Sequence, residues 1–215
     1  MLMVNQLIGF GAGSSAAALT YTTWNSADKG ADMTLSGGDL TATAAATAAA
    51  AWVRSVSGKS SGKYYVEMNF DNFTDQDDHK FGISKAGATI SSTTAFGGDA
   101  NSLCIGKNGA VSTTPQKRTG GTSTNLGSSA TYASGKKLMM AVDIDNGKIW
   151  WGYDGTWFDS GDPAAGTNAQ FTSGISGNTW YVGYYQIRNP IATTTNFGTS
   201  AFTHTLPSGF TGWTT

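Results

Sequence analysis

The chain has 215 residues, 39% of them hydrophobic, with 13 Lys and Arg against 14 Asp and Glu, a net charge of −1, and 29 glycines against 4 prolines. Charged residues are 13% of the total, about half the ~25% usual for soluble domains, so Ser, Thr, Asn and Gly must cover the surface. The near-zero balance excludes the basic footprint that nucleic acid or an anionic membrane attracts.

The length allows one large all-β domain or two small ones, and 12% aromatics among abundant Gly, Ser and Thr favour one, made of many short strands and tight turns. Cys104 is the only cysteine, so no internal disulfide forms and the thiol is expected as a small buried residue. The apolar start has no basic n-region, its first Lys being Lys29, so no cleaved signal is expected. No apolar run reaches the length of a spanning helix, which argues against membrane insertion.

Residues 1–19 are uncharged, combining Met3, Val4, Leu7, Ile8 and Phe10 with a Gly-rich tail. Two readings stand: a loose or edge-packed terminus, and an assembly arm that buries its apolar side on another subunit. Gly9, Gly11 and Gly13 fail the spacing of a dinucleotide fingerprint, and no βαβ unit follows. The domain proper is expected over residues 20–215.

A short strand is expected over Thr20–Trp24, then an alternating stretch over Asp32–Ala42. The Ala42–Ala51 run has high helix propensity, yet Thr43 and Thr47 interrupt it and no cap is evident, so it reads as extended or irregular. Strands follow at Trp52–Val56 and Lys63–Phe70, the latter alternating Tyr65, Glu67 and Asn69 with Tyr64, Val66, Met68 and Phe70. Residues 96–134 read as short strands and long polar loops, where recognition usually resides. Leu138–Trp157 carries the greatest apolar and aromatic mass and reads as a hairpin. Asn146-Gly147 is expected to form a type I′ turn, and Trp150 and Trp151 face opposite sides. Tyr181–Ile187 is another aromatic strand, and Thr193–Thr195 an exposed turn or strand start.

Four stretches in order resemble one family. Ser55–Met68 (SVSGKSSGKYYVEM), Phe81–Ser84 (FGIS), Val142–Gly155 (VDIDNGKIWWGYDG) and Asn196–Phe210 (NFGTSAFTHTLPSGF) are similar to the opening, second, central-hairpin and closing segments of the SPRY domain. The resemblance reaches from about residue 25 to the C-terminus. It implies an all-β, concanavalin A-like antiparallel β-sandwich preceded by the short N-terminal arm. Low charge, Gly/Thr/Ser richness and the wording GDPAAGTN at Gly161–Asn168 further resemble SPRY-like domains of tailed-bacteriophage structural proteins.

The chemistry-bearing inventory is thin. His79 and His204 are the only histidines and Glu67 the only glutamate, and no nucleophile elbow is present. Asp143 and Asp145 share a face and invite a glycosidase reading, but the usual chemistry needs two carboxyl groups flanking the scissile bond. Both match SPRY hairpin positions used structurally, and no catalytic residue is assigned. The Asp71–Asp78 loop carries enough oxygen for calcium but lacks the Gly and terminal Glu of an EF-hand loop, so it reads as solvated and no metal or cofactor is assigned. Asn72-Phe73-Thr74 makes a sequon, taken as coincidence without a secretory signal.

Binding is better supplied. Tyr153, Asp154, Trp157, Phe158 and Asp159 are candidates for an aromatic platform that stacks on a sugar or grips a peptide, set against packing beneath the 161–167 loop. The expectation is a non-enzymatic virion component, made in the host cytoplasm and oligomeric. Met3 to Phe10 would contact other virion proteins, and the sandwich would decorate the particle or adhere to host surface glycan. A glycan hydrolase and an intracellular peptide-binding adaptor are the alternatives.

Overall fold

The computed structural model describes residues 21–45, 50–73, 78–91, 94–106, 114–187 and 190–214. The arm residues Met3, Val4, Leu7, Ile8 and Phe10 therefore lie outside the described residues, as do Ala46–Ala49 and Asp75 and Asp77 of the acidic loop.

Among the described residues, strands alternating large apolar with polar or small side chains pair into two sheets. The first has the order β1 (Trp24–Lys29), β4 (Ala51–Ser55), β13 (Tyr181–Ile187), β6 (Asp78–Ser84), β7 (Ser102–Gly106), β8 (Gln116–Thr119), β9 (Thr122–Asn125). The second has the order β12 (Thr156–Trp157), β11 (Lys148–Tyr153), β10 (Lys137–Asp143), β5 (Lys63–Phe70), β14 (Ala192–Asn196), β3 (Thr41–Ala44), β2 (Met33–Ser36). Pairing is antiparallel throughout except where the short β15 (Thr211–Gly212) runs parallel to β5.

Period-two patterning puts one face of each sheet into a common core. Val66, Met68 and Phe70 of β5, Leu138, Met140 and Val142 of β10, and Ile149 and Trp151 of β11 meet Val53, Phe81, Ile83, Val182 and Tyr184 of the other sheet. Trp151 is fully buried there while its neighbour Trp150 is fully buried on the opposite face. Burying a large apolar side chain is worth about 1.5–3 kcal/mol, and the second sheet collects that from both faces. Its outer face packs Tyr65, Met139, Ala141 and Trp150 under Phe210, with Phe202 and Trp157 at the margin. The outer face of the first sheet packs Cys104 and Tyr185 under Phe96 and Ile90, so Cys104 is buried as expected.

Several expectations need correction. The β10–β11 connection is not a two-residue type I′ turn. Asp143 pairs with Lys148, leaving residues 144–147 as the loop, in which Gly147 alone has a positive φ, of 66°. The Asp143 carboxylate explains the longer loop: it accepts the Asn146 N–H at 3.0 Å and its amide Nδ2 at 2.8 Å. The first strand begins at Trp24, where it was expected to end, with Tyr21 only bridging Thr214. Thr193–Thr195 is not an exposed turn: it lies within β14, between β3 and β5, with Thr193 and Thr195 buried. Phe197 enters the central core, whereas Phe202 and Phe210 cover the outer face. The described part of the Ala-rich run is extended, Ala42 and Ala44 in β3 and Ala51 in β4.

Candidate functional site

The site is built around the turn from β11 to β12. Tyr153 pairs with Thr156, so Asp154-Gly155 is a two-residue hairpin loop, with φ of 47° and 87°. Positive φ at both central positions is what a type I′ turn requires, so the geometry expected at Asn146-Gly147 occurs here. Asp154 is held from outside by Lys136 Nζ, 2.5 Å from Oδ2, and lies 3.8 Å from His204 Nε2.

Beside this turn is a depression of about 370 Å³ between the turn and the loop around residues 128–131. Tyr153, Asp154, Thr156 and Trp157 form one wall, and Ser128, Ser129 and Thr131 bring hydroxyl groups to the other. The two walls are tied together. The Tyr153 hydroxyl accepts the Ala133 N–H at 2.9 Å, the Asp159 Oδ1 accepts the Ser128 N–H at 3.2 Å, and the Ser128 Oγ accepts the Asp159 N–H at 2.7 Å. The Tyr153 ring stacks tilted on Tyr132 at 4.9 Å. Burial, with the nearby Asp154 charge, raises the Tyr153 phenol against the opposing Ala133 bond, so it stays a neutral donor and acceptor at physiological pH.

The five residues expected to form a platform are thus brought together but have different tasks. Tyr153, Asp154 and Trp157 line the depression, and half-buried Trp157 stands edge-on to Tyr65 at 6.1 Å. Phe158 reaches it only from below, since its side chain is 3% exposed and belongs to the central core. Asp159 serves the wall, and the 161–167 loop packs instead over Trp150, whose Nε1 donates to the Thr167 carbonyl at 2.7 Å.

The other ionisable candidates are held by the scaffold. Asp143, 3% exposed, sits 3.0 Å from Lys63 Nζ; burial pushes its carboxyl up, but the two Asn146 hydrogen bonds and Lys63 outweigh it and bring it below the ordinary value. Asp145 Oδ1 accepts the Gly62 N–H at 2.9 Å. His79 is fully buried, its ring edge-on to Phe70 and Phe73 and tilted against Tyr132. The Lys117 Nζ donates to the Gln170 carbonyl at 2.7 Å and lies over the Phe171 ring. Among the described residues no group of three or more His, Cys, Asp or Glu side chains is placed to hold a metal ion.

Glu67, unremarked in the sequence apart from being the only glutamate, turns out to be central. It is 1% exposed on the outer face of β5 and accepts the Tyr65 hydroxyl at 2.9 Å, the His204 N–H at 2.8 Å and the Thr203 N–H at 2.9 Å. The carboxylate thereby pins the closing segment across the sheet. The available signal was the Tyr65-x-Glu67 spacing, which puts phenol and carboxylate on one face.

No protein-family profile matches the chain, and no curated protein matches it by sequence. Solved structures match the fold. The SPRY domain of human HERC1 is similar over 83% of this chain and 99% of its own, at 9% identity and a TM-score of 0.58. The PSpry domain of TRIM65 is similar over 82% and 89%, at 12% identity and the same TM-score of 0.58. The fold is that of a SPRY domain. A stonustoxin structure is also similar, at 16% identity and a TM-score of 0.60, over 81% of this chain and 28% of the toxin chain. At these identities the SPRY likeness establishes architecture, and function has to be argued from the site.

Proposed function

We propose that this chain is a non-enzymatic recognition module of a bacteriophage virion, whose SPRY-type sandwich holds the Tyr153–Trp157 depression outward for adhesion to host surface glycan. The observation that carries the reading is the depression itself. A half-buried indole and a neutral phenol stand opposite a row of hydroxyls, the pairing of a ring face with hydrogen-bonding rims that a sugar matches. It sits on a tight hairpin turn cross-linked to its opposite wall, so little ordering entropy opposes binding.

The hydrolase alternative is weaker because Glu67 and Asp143 are buried and spent on structural hydrogen bonds. The virion context is supported by the charge-poor, Gly/Ser/Thr-rich composition and by the resemblance to phage structural proteins. In this reading Met3 to Phe10 attach the chain to other virion proteins, in homo-oligomeric copies. The test is titration of the full chain with neutral oligosaccharides, following tryptophan emission. Saturable binding lost in Trp157→Ala supports the reading, and binding to none of them, or binding indifferent to Trp157→Ala, overturns it.

A further inference from the structure

The outer face of the second sheet carries a second depression, of about 370 Å³, that the Tyr153–Trp157 site does not use. We propose that the two depressions form one extended face, so that the ligand is an oligosaccharide whose distal units lie over Asn69, Asp71 and Lys137. This rests on the glycan reading above and names the length and polarity of what the site takes.

The two depressions open at the same end of the sheet. Lys137 of β10 pairs with Asn69 of β5, the next β10 residue, Leu138, pairs with Tyr153 of β11, and Asn69 also pairs with Thr194 of β14. One ridge separates them. Asp154, in the wall of the first, donates its N–H to the Lys137 carbonyl at 2.9 Å and faces His204, whose neighbour Thr203 lines the second. A chain of sugar units leaving Trp157 therefore crosses the Asp154–His204 contact and reaches Lys137 directly.

The second depression is organised yet unsaturated. Asp71 accepts the Asn69 Nδ2 at 2.5 Å on one oxygen and the Thr194 hydroxyl at 2.6 Å on the other, leaving a lone pair on each. Lys137 has three ammonium protons, and among the described residues its Nζ donates to the Asn69 Oδ1 at 3.4 Å. On the rim, the hydroxyls of Thr199, Ser200 and Thr203 make no hydrogen bond among the described residues. Glu67 at the floor accepts the Tyr65 hydroxyl and the His204 N–H on Oε1 and the Thr203 N–H on Oε2, which leaves one lone pair, on Oε2.

Acceptors on Asp71, donors on Lys137 and rim hydroxyls complement vicinal hydroxyl groups, each of which donates and accepts. The carboxylates of Asp71 and of Glu67 at the floor, against the one ammonium of Lys137, give the patch a net negative charge that disfavours an anionic ligand. Leu40 and Ala201 are its only apolar side chains, too little to anchor a peptide through hydrophobic residues.

The experiment is calorimetric titration of the full chain with gluco-, galacto- and manno-configured saccharides of one to four units, alongside ¹⁵N amide shifts to locate each contact. The expected result is an affinity that rises about tenfold or more from one unit to four, with shifts spreading from Thr156–Trp157 to Asn69–Asp71. Asn69→Ala and Lys137→Met each reverse most of that gain while leaving the single-unit affinity unchanged, and Trp157→Ala weakens every length. Affinity independent of length, with both distal variants silent, overturns the extended face and leaves the Tyr153–Trp157 reading standing. Loss in the distal variants with Trp157→Ala silent overturns the joint face and the Trp157 reading together. Unchanged unfolding midpoints for Lys137→Met show that its loss of affinity is not a folding defect.

Discussion

Replacing Glu67 tests how the closing segment is held over the second sheet. In Glu67→Gln the amide oxygen still accepts the Tyr65 hydroxyl and the His204 N–H, but the amide nitrogen now faces the Thr203 N–H, donor against donor. Hydrogen bonds to charged groups contribute about 1.5–3 kcal/mol each, and an orphaned buried donor costs about 1–3 kcal/mol. One lost bond and weakening of the other two therefore predict about 2–3 kcal/mol. Glu67→Ala orphans all three donors and removes the side chain that supports the Thr203–His204 backbone, predicting about 4–5 kcal/mol. For a chain of this size the Gln variant should lower Tm by roughly 5–10 °C. Urea unfolding followed by tryptophan emission gives the free energies, and amide hydrogen exchange shows where the loosening lies, with residues 199–204 losing protection first. A Gln variant within about 0.5 kcal/mol of the parent, or one whose 199–204 amides stay protected, refutes the clamp.

Three further outcomes follow from the same geometry. Asp143, whose carboxyl lies below its ordinary value when folded, contributes stability that is fully present above the unfolded carboxylate value and is lost as pH falls through the folded one. Urea midpoints of the parent should therefore drop below about pH 4 more steeply than those of Asp143→Asn, and parallel profiles contradict this. Gly82 lies where a Cβ would stand 2.0 Å from the Leu103 carbonyl oxygen and 2.7 Å from the Cys104 Cα, so Gly82→Ala should cost about 3 kcal/mol or more. Gly87, open on all sides, should accept Ala within about 0.5 kcal/mol, and equal thermal midpoints for the two variants sink the argument. Removal of residues 1–13 should leave the folded sandwich's midpoint unchanged but abolish incorporation into particles, scored by immunoblot of purified virions.

What was legible in the sequence follows from where the physics is local. Lys63–Phe70 and Tyr181–Ile187 coincide with β5 and β13 residue for residue, because short runs dense in aromatic and β-branched residues and bounded by turn residues leave little alternative. The opposite facing of Trp150 and Trp151 follows from the two-residue period. The Thr193–Thr195 run misled because three threonines read as surface. In the structure they pass between β3 and β5, where small β-branched side chains fit and Thr193 Oγ1 donates to the Ala42 carbonyl at 3.4 Å. The turn at Asn146-Gly147 misled because the competing acceptor, Asp143, lies three residues upstream of the N–H it captures. Around the candidate site, Tyr153 and Trp157 stood out in the sequence as aromatics flanking the Asp154-Gly155 turn. Their opposite wall did not, since the Ala133–Tyr153 and Ser128–Asp159 bonds join loops 20 and 31 residues apart. The Glu67 clamp spans 136 residues to Thr203, and its one local trace was the Tyr65-x-Glu67 spacing.

The most direct test of the central reading is quantitative mass spectrometry of purified phage particles from the producing culture, with the native mass of the recombinant chain measured beside it. The account predicts the chain in intact particles at a fixed ratio to the other structural proteins, and an oligomer in isolation. A chain confined to the infected-cell lysate, absent from particles and monomeric, contradicts it.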